Sequence, residues 1–270
     1  MLFRSYLEYP IHYRWWKFTP SVTGTVSQNV SNTEKQRMDS LARIRIDRYY
    51  WNFSVLYGYY PKAYLRDFVD SDGTSKLENY SYERNLYRAD LQIKPIQNTT
   101  VFMNIRREDY FYNQYWTEAD GSATTSGIGL RYKFPTFSIE GSYAYRSFDN
   151  SGAKSMNDDD GSYESNIYKG VIRISPQAFN GTDTRMYNWQ PYLELSKEDR
   201  FFQGDNSWYG GREYHVYGTK AGIGMNLTKK WNISLDYLHF FRNVDSSNES
   251  VVRLKEYSEN RFSSTVKYKF

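Results

Sequence analysis

The 270-residue chain has no cysteine, three histidines and seven prolines. Without cysteine there is no disulfide, no thiolate metal site and no C-x-x-C-H haem attachment, so a redox centre would have to belong to a partner. It also lacks any run of about 18 apolar residues, which excludes transmembrane helices. Mean hydropathy is −0.80 and 24% of residues are charged. The formal charge of +4 is too mild for a nucleic-acid footprint. Residues 1–11 hold no basic segment followed by an apolar one, so any export signal is expected to lie before this sequence or to have been removed. No helix-period segment, linker or second domain is visible.

Aromatic residues, by contrast, are abundant: 19% of the chain, with 28 tyrosines. Apolar and polar residues alternate with period two in twelve segments, at 14–27, 36–47, 51–61, 82–94, 99–109, 126–134, 136–148, 165–175, 186–198, 213–227, 231–243 and 257–270. In 36–47, Met38, Ala42, Ile44 and Ile46 oppose Arg37, Asp39, Arg43, Arg45 and Asp47. Short connectors (48–50, 95–98, 135, 228–230, with a longer one at 176–185) alternate with long polar ones (28–35, 62–81, 110–125, 149–164, 199–212, 244–256).

Long strands, low mean hydropathy and this asymmetry predict an all-β fold: a transmembrane antiparallel up-and-down β-barrel of about twelve strands, with short periplasmic turns and long extracellular loops. Residues 1–11 are read as an N-terminal periplasmic segment and 12–270 as the barrel. Both termini on one side require an even strand count. A soluble sandwich or barrel would alternate as well, with its apolar face inward, but accounts for neither the connector asymmetry nor the aromatics near strand ends.

Phe262, Ser264, Val266, Tyr268 and Phe270 share a face of the closing strand. Aromatics at the terminal and third-last positions resemble the C-terminal signal of Gram-negative outer-membrane β-barrels. That resemblance implies the bacterial outer membrane, with lipid and lipopolysaccharide as surroundings. If the apolar face meets lipid, the polar face lines the lumen, where bases outnumber acids about two to one. The candidate solute-binding residues are Arg43, Arg88, Arg106, Arg131 and Arg173, which would attract anions and grip carboxylate or phosphate groups. Alternatively, these arginines form ion-pair ladders that brace the wall. A basic lumen in about twelve strands resembles the oligogalacturonate-specific porins in architecture and charge pattern, which implies passage of acidic solutes. No cofactor is expected. Inward Gly127, Gly129, Gly218, Gly222 and Gly224 either keep space open or accept a neighbour's large side chain.

The expected function is therefore a narrow passive channel for small anionic solutes, not an enzyme. The rival reading is a structural sleeve that holds a partner protein in its lumen or periplasmic space. A lipid hydrolase is a minor alternative. Outward His239 and Ser264 resemble the outer-membrane phospholipase arrangement, yet no His-x-Ser pair or orienting Asn is evident. His12 and His215 read as interfacial. Asp158–Asp160 before Gly161, and Asp70 and Asp72 before Gly73, offer oxygen ligands but match no complete calcium loop, so no metal site is assigned. Tyr110, Phe111, Tyr112 and Tyr115, with Trp208 and Tyr209, offer stacking surfaces for sugars or mark the outer interface.

Overall fold

A computed structural model describes residues 2–27, 37–69, 77–113, 116–156, 160–174, 189–206, 208–226 and 231–268. The strands are β1 (Leu2–Glu8), β2 (Ile11–Tyr13), β3 (Trp16–Ser27), β4 (Arg37–Asp47), β5 (Trp51–Val69), β6 (Leu77–Ile93), β7 (Thr99–Tyr112), β8 (Gly121–Lys133), β9 (Phe137–Asp149), β10 (Tyr163–Ile174), β11 (Trp189–Phe202), β12 (Glu213–Asn226), β13 (Trp231–Asp245) and β14 (Tyr257–Tyr268). From β3 to β14 each strand pairs antiparallel with its sequence neighbours in one up-and-down sheet. The twelve alternating segments correspond to β3 through β14.

The sheet differs from the expectation in four respects. β1 and β2, within the segment read as lying outside the barrel, both pair with β3, at Ser21–Ser27 and Trp16–Phe18 respectively. Among the described residues fourteen strands thus fill thirteen positions, one more than the twelve expected. The connector expected at 62–81 is mostly strand, because β5 and β6 stay paired as far as Val69 and Leu77, past register shifts at Tyr60/Ala63 and Tyr64/Arg66. Two short helices, α1 (Ser151–Met156) and α2 (Glu249–Lys255), occupy connectors read as plain loops. Six or seven residues are too few to establish a helical period. Among the described residues no pairing joins β14 to β1 or β2, so the sheet is open.

Tight turns set the register at one end. Arg48 N–H donates to the Trp51 carbonyl at 2.8 Å and Phe134 N–H to the Phe137 carbonyl at 2.8 Å, closing two-residue turns. Arg14 and Asn98 take positive φ in the turns before β3 and β7.

The two faces are chemically unequal. Buried residues on one face include Thr19, Thr23, Ser54, Glu108 and Ser165, while the other face exposes Ile44, Val55, Ile105, Leu130, Leu195, Leu235 and Phe262. Small polar side chains and Glu108 are thus covered on the inner face beside apolar ones such as Leu86, Val171 and Val216, and large apolar side chains are bare on the outer face. This inverts the arrangement of a water-soluble β-fold.

The outer face is banded. Near the short turns lie Trp16 edge-on to Trp51 at 5.6 Å and Phe134 stacked on Phe137 at 4.3 Å. Beyond the aliphatic belt come cross-strand aromatic pairs: Tyr57–Tyr87, Tyr143–Tyr168, Tyr217–Phe241 and Tyr237–Phe262. In three of these pairs a tyrosine hydroxyl donates to an asparagine on the neighbouring strand: Tyr57 to Asn85 at 2.9 Å, Tyr143 to Asn166 at 2.7 Å and Tyr237 to Asn260 at 2.7 Å. Further toward the long connectors the same face turns ionic, with Arg107–Asp109 and Lys197–Asp199 pairs. The outer face thus runs from an apolar belt through rings with satisfied hydroxyls to charge.

Candidate functional site: the arginine-lined inner face

Period two sends every second residue of a strand to the inner face, and register decides which of these meet. Arg88 is the direct cross-strand partner of Arg106, and Leu56 lies between Arg43 and Arg88. The same row continues through Thr125, Arg146, Ser165 and Arg200. Three of the five arginines singled out from sequence therefore share a row. Arg131 and Arg173 lie away from it and meet through Glu140. Arg131 donates to that carboxylate from Nε at 2.8 Å and Nη2 at 2.5 Å, and Arg173 donates from Nη1 at 3.3 Å.

Four of the five are paired with carboxylates. Arg88 bonds Asp90 at 2.7 Å, and Arg106 bonds Glu108 at 2.6 Å. Arg84 adds a second guanidinium to Glu108 at 2.9 Å, and that carboxylate side chain is 2% exposed. Arg43 takes no carboxylate partner among the described residues, and its buried Nε has no hydrogen bond. It borders a cavity of about 540 Å³ with Glu8, Thr19, Thr23 and Arg45.

Sequence reasoning overlooked Arg200, Glu198 and Glu259 on this face. Arg200 bonds Glu198 at 2.8 Å and Arg261 bonds Glu259 at 2.6 Å. The signal was present: a base and an acid two residues apart must share a face. Arg45-x-Asp47, Arg88-x-Asp90, Arg106-x-Glu108, Glu198-x-Arg200 and Glu259-x-Arg261 all follow it. With those acids included, the excess of bases is smaller than two to one.

Toward the long connectors the inner face is filled. Arginine planes lie over rings: Arg84 on Tyr60 at 3.9 Å, Arg200 on Tyr163 at 4.3 Å, and Arg242 on Tyr214 at 4.6 Å and Tyr257 at 4.5 Å. α2 buries Val251 against Tyr214, Val216 and Val244. Its N-cap Asn248 accepts from Ser250 N–H at 3.0 Å. Trp208 joins this cluster, and Tyr209 faces Phe202 and Arg212. Toward the short turns cavities persist instead.

Inward glycines divide as their surroundings require. At Gly129 an added Cβ would fall 2.1 Å from the Phe102 ring; at Gly222 it would fall 2.4 Å from Asp236 Oδ1 and 2.5 Å from the Tyr192 ring. Tyr192 crosses Gly222 to donate its hydroxyl to Asp236. Gly224 has open space around it.

His239 bonds Asn260 through Nδ1 at 2.9 Å, so an orienting asparagine does exist. Ser264, however, pairs with Leu235, whereas Asn260 pairs with His239. Four residues of strand, about 13 Å, separate the hydroxyl from the imidazole's partner. The structure does not bring His239 and Ser264 together. His215 bonds Asp199 at 2.7 Å on the outer face. Asp160 accepts from Ser162 N–H at 2.9 Å. Asp70, Asp72, Gly73, Tyr115, Asp158, Asp159 and Phe270 lie outside the described residues.

The fold and face together define an all-antiparallel up-and-down β-sheet with a polar, arginine-rich interior side. The chain matches no protein-family model, and no curated protein is significantly similar to it.

Proposed function

We propose that this protein is a bacterial outer-membrane β-barrel forming a narrow passive channel that favours small anionic solutes. The observation that carries the reading is the inversion of the two faces, with aliphatic and aromatic side chains bare on the outside and the carboxylates of the arginine networks covered within. Lipid is the surrounding that makes such an outer face favourable. The lumen then narrows where arginines stack on rings and α2 packs inward, and widens toward the short turns. Paired arginines mainly brace the wall; Arg43, without a carboxylate, would contribute most to anion preference.

Refolded protein in a planar bilayer under a KCl gradient is expected to give a reversal potential of the anion-selective sign. Arg43→Glu should move that potential toward cations more than Arg88→Glu, because Asp90 already offsets Arg88. A cation-selective wild type would overturn the reading.

The filled long-connector end favours a second reading, a structural sleeve that encloses or anchors a partner protein. Wild-type protein that inserts but does not conduct would put that reading first.

A further inference from the structure

At the short-turn end of the inner face, β8 to β13 enclose a cavity of about 340 Å³ bordered by Arg131, Lys133, Ser138, Arg173, Tyr192 and Gly224. We propose that this cavity binds a phosphoryl dianion, either inorganic phosphate or a small phosphate monoester, on its way through the lumen. The proposal rests on the reading of the inner face as a solute path.

Three bases border the cavity, and the one carboxylate paired with them, Glu140, is shared by Arg131 and Arg173. The group therefore holds a net charge of about +2, matching a dianion and over-compensating a monoanion. Lys133 takes no ion pair or side-chain hydrogen bond among the described residues, so an incoming oxyanion displaces no internal partner there.

Lys133 and Arg173 occupy one register row with Ser138 between them. Two strand spacings separate their backbones by about 10 Å, and the residue between is short. An oxyanion fits in that gap, with the Lys133 ammonium on one side, the Arg173 guanidinium on the other and the Ser138 hydroxyl as a third donor. Glu140 takes only one nitrogen of Arg173, which leaves the rest of its fork free, and holds Arg131 from two. Opposite, Gly224 adds no side chain and has open space around it, giving room for the carbon body of an ester.

The test is calorimetric titration of refolded wild-type protein in detergent at low salt with inorganic phosphate and glycerol phosphate, using acetate as monoanion control. Phosphate should bind at least about tenfold more tightly than acetate, and Lys133→Gln and Arg173→Gln should each weaken it about tenfold or more. Arg253→Gln, on the exposed side of α2, should leave it unchanged. Lys133→Arg should retain binding, which separates lost charge from lost fold, and circular dichroism checks each variant. Phosphate binding no tighter than acetate, or unaffected in both glutamine variants, overturns the site. Conductance without phosphate preference removes the site and keeps the channel. Phosphate binding through Lys133 and Arg173 without conductance does the reverse.

Discussion

Individual residues on the inner face carry unequal weight, and burial explains the difference. Glu108 is almost fully covered and accepts from two guanidiniums, so removing its charge strands the mostly covered Arg84 and leaves the more open Arg106 without its carboxylate. Breaking a buried pair from one side costs about 3–5 kcal/mol, whereas an exposed pair contributes about 0–1 kcal/mol. Glu108→Gln should therefore lower unfolding stability by about 3 kcal/mol in urea titrations, while Glu259→Gln, whose pair is open to solvent, should change it by less than about 1 kcal/mol. Gly222→Ala should cost about 1–3 kcal/mol, because a methyl group there meets both Tyr192 and Asp236.

Asp120, in the connector before β8, has a carboxyl raised above the ordinary 3.8 by burial, opposed by the hydrogen bond it accepts from Tyr112 N–H. Its folded form thus holds the proton more tightly than the unfolded chain. The associated stability is fully present below 3.8, falls as pH rises through the raised value, and is flat above it. Asp120→Asn keeps an acceptor for Tyr112 without the charge, so it should remove this acid-side dependence without loss of stability at neutral pH. Thermal melts across the acid range would check it.

Elements show how local patterns become walls and caps. A base and an acid at i and i+2 on a strand share a face whatever the tertiary structure does, so such a strand brings its own ion pair to the inner face, as Arg106–Glu108 does, or to the outer one, as Arg107–Asp109 does. Cross-strand groups such as Arg84–Glu108–Arg106 and Arg131–Glu140–Arg173 additionally need register, which the tight turns supply. α2 is different in kind. Its seven residues gain stability from a cap and from Val251 packed on the inner face, not from helix length. Val251→Asp should release α2 from the long-connector end, raising single-channel conductance and speeding amide exchange in 249–255 while β13 stays protected. Unchanged conductance would mean that α2 does not limit passage.

At the scale of the whole molecule, the thirteen sheet positions among the described residues have a directional consequence. Neighbours alternate in direction, so β1 and β14, at the two ends, run the same way. If β14 closes on β1 the seam is parallel, whereas an added strand between them pairs antiparallel with both. The chain has no cysteine, which makes the choice easy to read out. Single cysteines at Tyr6 or Glu8, combined with Arg261, Ser263 or Thr265, should form an intrachain disulfide on oxidation in at least one combination if the seam closes directly. For the outer face, spin labels at Ile44, Val55 and Leu235 should be accessible to oxygen in bilayers and shielded from polar quenchers. The opposite result would point to a water-facing exterior.

Strands β3 to β14 were legible in the amino-acid sequence, because alternation is a property of the backbone and turn residues mark its ends. So was the face of most arginines, although Arg200, Glu198 and Glu259 carried the same two-residue signal and were overlooked. β1 escaped notice because Leu2–Glu8 alternates weakly and is held by pairing with β3. The extension of β5 and β6 was hidden for the same reason: polar residues there are strand only because the hairpin continues. Sequence also leaves open which arginines meet, since Arg131 and Arg173 are 42 positions apart and converge on Glu140 only once β8, β9 and β10 are in register. The alternating chain by itself determined an inner and an outer face. Tertiary structure alone decided that the inner one is filled toward the long connectors and open toward the short turns, because packing depends on contacts between strands that no local pattern specifies.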